Sequence, residues 1–165
     1  MDNTYLVVNG VKVPLTEEQK KSLGITKEKN NPFERVNKGT VYYYGKADGT
    51  TEDFTEADDS TDTGLYNAAN YFNDKQFAGQ VILHQLLYRK LLKYAYDNGY
   101  VDTAKWDGEN PHWCIYYDNC CKKFNTTWQE LVQYSHVYFS TREGAACAIK
   151  EVIEPFVKEH PEFVW

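Results

Sequence analysis

An α+β fold is predicted by three features of the 165-residue sequence. β-prone stretches alternate with turn residues, two long segments carry helical apolar spacing, and one local pattern occurs twice. The repeated pattern is Tyr-Phe, a polar cap and an amphipathic helix, in "ANYFNDKQFAGQVILHQLL" and again in "HVYFSTREGAACAIKEVI". Tyr71-Phe72 and Tyr138-Phe139 are 67 residues apart, and that offset also carries Ala78 onto Ala145 and Ile82 onto Ile149. The strand-like "VYYYG" and "CIYYD" recur at an offset of 73. These matches predict a duplicated β-β-β-α unit with antiparallel sheets. The expected organisation is an N-terminal hairpin, short helix and linker over 1–34, a first unit over 35–99 and a second over 100–165, sharing one compact domain.

In "TYLVVNGVKVPLTEEQKKSLGI", Asn9-Gly10 between β-prone flanks predicts a two-residue hairpin turn, since both residues tolerate positive φ. Thr16 with Gln19 is a capping box for a short helix ending at Gly24. Residues 25–34, broken by Pro32, read as a linker. Strands are expected at about 40–45 and 50–54, joined by a turn at "KADG". The run "TEADDSTDTG" is expected as an acidic surface loop and "LYNAANYF" as a third strand. Asn73 with Gln76 then caps a helix from Asp74 to about Asp97, whose Phe77, Ala78, Val81, Ile82, Leu86, Leu87, Leu91, Leu92 and Ala95 form one buried face ending before Gly99. In the second unit "PHWCIYYD" and "KKFNTTW" are strands around a turn at "DNCC", with "LVQYSHVYF" as the third. Ser140 with Glu143 caps the last helix, which turns Ala145, Ala146, Ile149, Val152, Ile153 and Phe156 inward until Pro155 bends or ends it. Each Tyr-Phe pair sends one ring under its helix and the other to the opposite side, because neighbouring strand residues face opposite ways.

Composition narrows the chemistry. The net charge is −6, with 8 basic and 12 acidic side chains in residues 1–70 and 10 and 12 in the rest. Such a balance lacks the basic stripe that a phosphate backbone demands, which disfavours nucleic acid as a partner. No GxxxxGK[ST], GxGxxG or GxSxG pattern occurs, so neither phosphate cradling nor a serine elbow is expected, and no cofactor is implied. Cys114, Cys120, Cys121 and Cys147 include no CxxC, and the four histidines have no short ligand spacing, so no metal site is expected. Asp58, Asp59 and Asp62 suggest a calcium loop, but glycine falls one place late and Ala69 stands where the bidentate Glu belongs. No apolar run suits a membrane span, and the cysteine pattern fits a reducing cytoplasm.

Surface recognition is what remains. The 14 Tyr, 8 Phe and 4 Trp supply contact area suited to hot spots. Partner-binding candidates are Tyr42, Tyr44, Trp113 and Tyr116 on the sheets, with Asp53, Glu56, Asp58, Asp59 and Asp62 along the acidic run. That run would suit a basic partner. Alternatives are a nucleic-acid binder using the sheet aromatics, and a small hydrolase or metal protein built around His112 or His136.

The segments "LTEEQKKSLGI", "NPFERVNKGTVYYYG", "NYFNDKQFA", "IYYD" and "VYFSTREGAACAI" together resemble a group of phage and prophage proteins of Gram-positive gut bacteria. The resemblance covers nearly the whole chain. It implies a bacterial host cytoplasm and brings no activity and no catalytic residue with it. The resulting expectation is a non-enzymatic binding protein of a phage or mobile element, acting on a protein partner, with opposition to a host defence system as one concrete version.

Overall fold

The computed structural model describes residues 5–8, 10–23, 31–100 and 105–165. The chain divides into two units, Met1–Pro32 and Phe33–Trp165. In the first, β1 (Tyr5–Val8) and β2 (Val11–Pro14) pair antiparallel with Val8 opposite Val11, and Gly10 takes a φ of 81° at the turn. Asn9, the other expected turn residue, lies outside the described residues, as do Gly24 and residues 25–30 of the expected linker. Helix α1 (Glu17–Ser22) starts on the expected capping box. The Gln19 N–H donates to Thr16 Oγ1 at 3.3 Å and the Thr16 N–H donates to Gln19 Oε1 at 2.9 Å.

In the larger unit, β3 (Val41–Gly45) and β4 (Thr51–Thr55) form a hairpin, and β5 (His112–Asp118) and β6 (Lys123–Gln129) form another. Both fall where alternation and turn residues place them. Each third strand, however, shrinks to a single residue. Phe72 exchanges both backbone hydrogen bonds with Tyr43, at 2.8 Å each, and Phe139 does the same with Trp113 at 2.7 and 3.1 Å. Beside the first bridge, the Asn70 side-chain amide mimics one more rung, accepting from the Gly45 N–H at 2.8 Å and donating to its carbonyl at 2.9 Å. By these bridges Tyr43 matches Trp113, an offset of 70, so the "VYYYG"/"CIYYD" offset of 73 is not the structural register.

Of the residues expected as a strand from Leu65 to Phe72, the first three belong instead to helix α2 (Ser60–Asn67). The acidic run is its start rather than a loop. Asp59 accepts from the N–H groups of Thr61 and Asp62, and Asp62 reaches back to the Asp59 N–H, a capping box made of two aspartates. Gly64 inside the helix weakens the helical signal of the sequence. In the second half, residues 130–137 make the corresponding connection without a helix.

Helix α3 (Lys75–Asp97) runs through the whole unit. Its cap is Asp74, which accepts from the Phe77 N–H at 2.9 Å, and that of α4 (Arg142–Ala148) is Thr141, which accepts from the Gly144 N–H at 3.0 Å. Both caps stand one residue after the expected Asn73 and Ser140, so the 67-residue offset still holds. It fails at Ile149, where α4 widens into a π-helical turn (Ile149–Ile153) before α5 (Glu154–Glu159). Pro155 explains this. Its ring cannot accept the Glu151 carbonyl in an α turn, and the Glu154 N–H bonds five residues back to Ile149.

α3 lies against both hairpins. Gly45 faces it so closely that an added Cβ would sit 1.7 Å from Ile82 Cδ1. Tyr42, on the other face of that hairpin, points to α2, which makes three layers. Further along, Leu83, Leu87, Leu91 and Ala95 of α3 join Ile115, Phe139, Ala145, Ala148, Ile153, Phe156 and Phe163 in one core. Phe33, expected in the linker, packs its ring on Phe72 and Phe77 at 5.1 and 5.5 Å. Gly45→Ala should therefore cost about 1–3 kcal/mol in urea unfolding, because Ile82 Cγ1 would also be only 2.4 Å from the new carbon. Pairing it with Ile82→Ala should cost less than the two single changes added together.

Candidate functional site

The two Tyr-Phe pairs place equivalent rings and then diverge in chemistry. Phe72 and Phe139 are both buried beneath the helix side, and Tyr71 and Tyr138 are buried on the opposite face. In the first half, Tyr71 stacks on Tyr42 with ring centroids 4.0 Å apart. Its hydroxyl donates to Glu56 Oε2 at 2.7 Å and accepts from the Val36 N–H at 3.2 Å. Arg35 grips the same carboxylate bidentately at 3.1 and 2.9 Å. Tyr42 donates to Asp62 Oδ1 at 2.7 Å, and the Ala57 and Asp59 N–H groups donate to Oδ2 at 2.7 and 3.2 Å.

Three of the partner-binding candidates are thus interior groups. Tyr42 and Asp62 are 0% exposed and Glu56 2%, so these side chains hold the first half together and offer no surface to a partner. Asp59 is the α2 cap, and Asp58 is an exposed carboxylate paired with Arg35 at 3.3 Å. Tyr44 is half-buried and donates to Glu52 at 2.6 Å, while Asp53 is exposed on β4. Tyr116 is exposed, and Trp113 is half-buried against Trp128 at 5.4 Å. The candidates therefore do not converge on one site.

Electrostatics in the network follow its hydrogen bonds. Hydrogen bonding from Arg35, helped by Tyr71 and the Asp58 N–H, holds the Glu56 carboxyl below the usual range despite burial. For Asp62, burial pushes upward, but Tyr42 and the Ala57 and Asp59 amides outweigh it and hold the pKa at about 2. Burial and the neighbouring carboxylate push Tyr71 up to about 12 and Tyr42 well above its ordinary value.

In the second half, His112 occupies the place of Tyr42. It is buried, stacked on Trp106 at 3.7 Å and edge-on to Tyr138 at 6.0 Å. The Tyr138 hydroxyl closes on backbone instead of carboxylate, accepting from the Tyr134 N–H at 2.8 Å and donating to its carbonyl at 3.1 Å. Cys114 is buried on the same strand face as His112, and burial raises its thiol pKa. Among the described residues no group of three metal-ligating side chains lies close enough to hold an ion, and no helix is long and apolar enough to cross a membrane.

Two surface features stand out here. The end of β6 and the connection after it expose Trp128 (51%), Leu131 (70%), Val132 (52%) and Tyr134 (50%). Directly after Tyr134, Ser135, His136 and Val137 line a cleft of about 600 Å3. Leu87, Leu91, Ile115, Val137 and Phe139 give it an apolar lining, and His84, Gln85, Arg89, Ser135 and His136 contribute its polar groups. Trp165 also lines it. It is brought there by Gln80, whose amide donates to the Glu162 carbonyl at 2.7 Å and accepts from the Val164 N–H at 2.9 Å.

No protein-family model, curated protein or solved structure matches the chain. The site must therefore be read from its own chemistry. Sequence patterns named His136 but neither the cleft nor Arg89. Nothing in local spacing links α3 to residues 135–139; the Phe139 bridge to Trp113 and the packing of Val137 and Phe139 in one core with Leu87 and Leu91 bring these groups together.

Both depressed carboxyls contribute stability that is complete above their unfolded-chain values of about 4. It is withdrawn as pH falls through the folded values, which for Asp62 is about 2. Unfolding free energy should therefore fall between about pH 4 and pH 2, and Glu56→Gln with Asp62→Asn should flatten that fall. At pH 7, Tyr71→Phe should cost about 1.5–3 kcal/mol in chemical denaturation, because it removes a donor from a buried carboxylate.

Proposed function

We propose that the chain is a non-enzymatic binding protein that acts by protein–protein contact through the surface formed by residues 128–134. The observation that carries this reading is the run of Trp128, Leu131, Val132 and Tyr134, each at least half exposed. Large apolar side chains exposed singly are ordinary, but a near-continuous group of four marks a surface that gains from being covered. Two of the four are aromatic, the residue class that dominates binding hot spots.

Its support is rigid. Trp128 pairs with Trp113 across the hairpin, and the Tyr138 hydroxyl pins the backbone of Tyr134 from below. A partner would therefore meet a surface already held in place, which lowers the ordering cost of association. Exposed carboxylates at Asp53 and Asp58 lie on the first hairpin and on the turn before α2, and they supply a second, charged contact for a basic partner. In the phage or mobile-element setting that the sequence resemblance implies, the partner is a host protein, with a component of a defence system as the concrete version.

Pull-down from bacterial host lysate, followed by titration against the captured protein, tests the reading. Leu131→Asp with Tyr134→Ser should weaken binding by about tenfold or more while leaving the unfolding midpoint close to that of the parent. Lysines at Asp53 and Asp58 should change the association rate and its salt dependence more than the affinity. Full binding by the Leu131/Tyr134 variant, or failure to capture any specific protein, would reject the surface.

A further inference from the structure

We propose that the cleft between α3, β5 and residues 135–139 binds a small apolar carboxylate, a ligand with one anionic head and a hydrocarbon or aromatic body. The inference is separate from the protein-contact surface, because it rests on different side chains. At about 600 Å3 the cleft falls within the range of small-molecule sites, which pair an apolar lining with a few placed polar groups. Its lining has that division. Leu91, Ile115, Val137 and Phe139 belong to the buried core, so the apolar part is set by the fold and cannot collapse freely.

Charge identifies the head group. The chain carries −6 overall, yet none of the described residues lining the cleft is Asp or Glu, and the one Lys or Arg there is Arg89. Two imidazoles, His84 and His136, line the same cleft, and an imidazole presents at least one N–H donor in either protonation state. Donors and a guanidinium with no Asp or Glu side chain among the described lining residues suit an anionic head better than a cationic one. The groups are also partly held. Arg89 uses one of its five N–H donors on the Ala47 carbonyl at 3.0 Å, and His84 leans on Phe163 with ring centroids 4.7 Å apart. Trp165, another of the lining residues, adds apolar surface for the ligand body. A guanidinium matches a carboxylate through two parallel hydrogen bonds, which a hydroxyl or an ammonium head cannot reproduce.

Isothermal titration of the full chain at pH 7.5 with octanoate, octanol and octylammonium separates head from body, since the three share one chain length. Octanoate should bind with a Kd on the order of 100 μM or tighter, about tenfold better than octanol, with octylammonium weakest. Arg89→Gln, at an exposed position that does not endanger folding, should weaken octanoate by about tenfold and leave octanol unchanged. Ser135→Trp, also at an exposed position, should abolish binding of all three by filling the cleft. Equal affinity for the three heads, or octanoate binding indifferent to Arg89→Gln, would leave an apolar cleft and overturn the anion assignment. No octanoate binding at about 1 mM would overturn the site altogether, and neither result touches the protein-contact surface.

Discussion

Two phenylalanines, each hydrogen-bonded through both backbone groups to one hairpin strand, are the constraint on which the larger unit depends. A two-stranded hairpin alone is marginal in water. A single bridging residue adds two backbone hydrogen bonds and, more consequentially, fixes which way the next residues face. Phe72 and Phe139 point to the α3 side and are buried there, so Tyr71 and Tyr138 must point away. Two residues beyond each Phe, a polar side chain caps a helix, which begins at a set height above its hairpin. Hairpin, bridge and helix are thereby locked by one short sequence, used twice.

The copies solve the same burial problem with different partners. Behind the first hairpin the outward tyrosine meets α2, and the two carboxylates there are saturated by Arg35, two tyrosine hydroxyls and backbone amides. Buried carboxylates so supplied remain charged at a tolerable cost, and they tie the segment before β3 to the turn before α2. In the second half no helix lies between β6 and the Phe139 bridge. Tyr138 bonds backbone, His112 and Trp106 stack, and the connection runs over the surface with its apolar side chains exposed. The difference between a capped helix and an open connection is what leaves the second half with a surface strip and a cleft.

The central helix is the second shared element. Its 23 residues serve the first hairpin near one end and the mixed core near the other, so neither repeat closes a core of its own. The π-helical turn forced by Pro155 shifts the last helix so that Ile153 and Phe156 both enter the core, where an unbroken α-helix would continue the pattern of the first copy. Gln80 then clasps residues 162–164 onto the same helix, and Phe163 is buried beside it. These departures from the repeat all concern the second half, where the cleft lies.

Much of this was legible from residues a few positions apart. The α+β class, the hairpins, the Thr16–Gln19 box, the long helix and the paired Tyr-Phe offset are all set by local propensity, turn chemistry and apolar spacing, which neighbouring residues carry. Acidity in residues 56–62 read as a solvated loop, because a helix cap made of aspartates and a solubilising run have the same composition. Burial decided between them. Tyr42, Glu56 and Asp62 are interior groups because distant partners meet there: Arg35, 21 residues before Glu56, grips that carboxylate, and Tyr42 bonds Asp62. The cleft likewise joins Arg89 to His136 across a separation no periodicity spans. Local sequence determined which elements form and which way they face; tertiary packing decided which charges are buried and which surfaces stay open, because those depend on groups that meet only when distant segments close on one another.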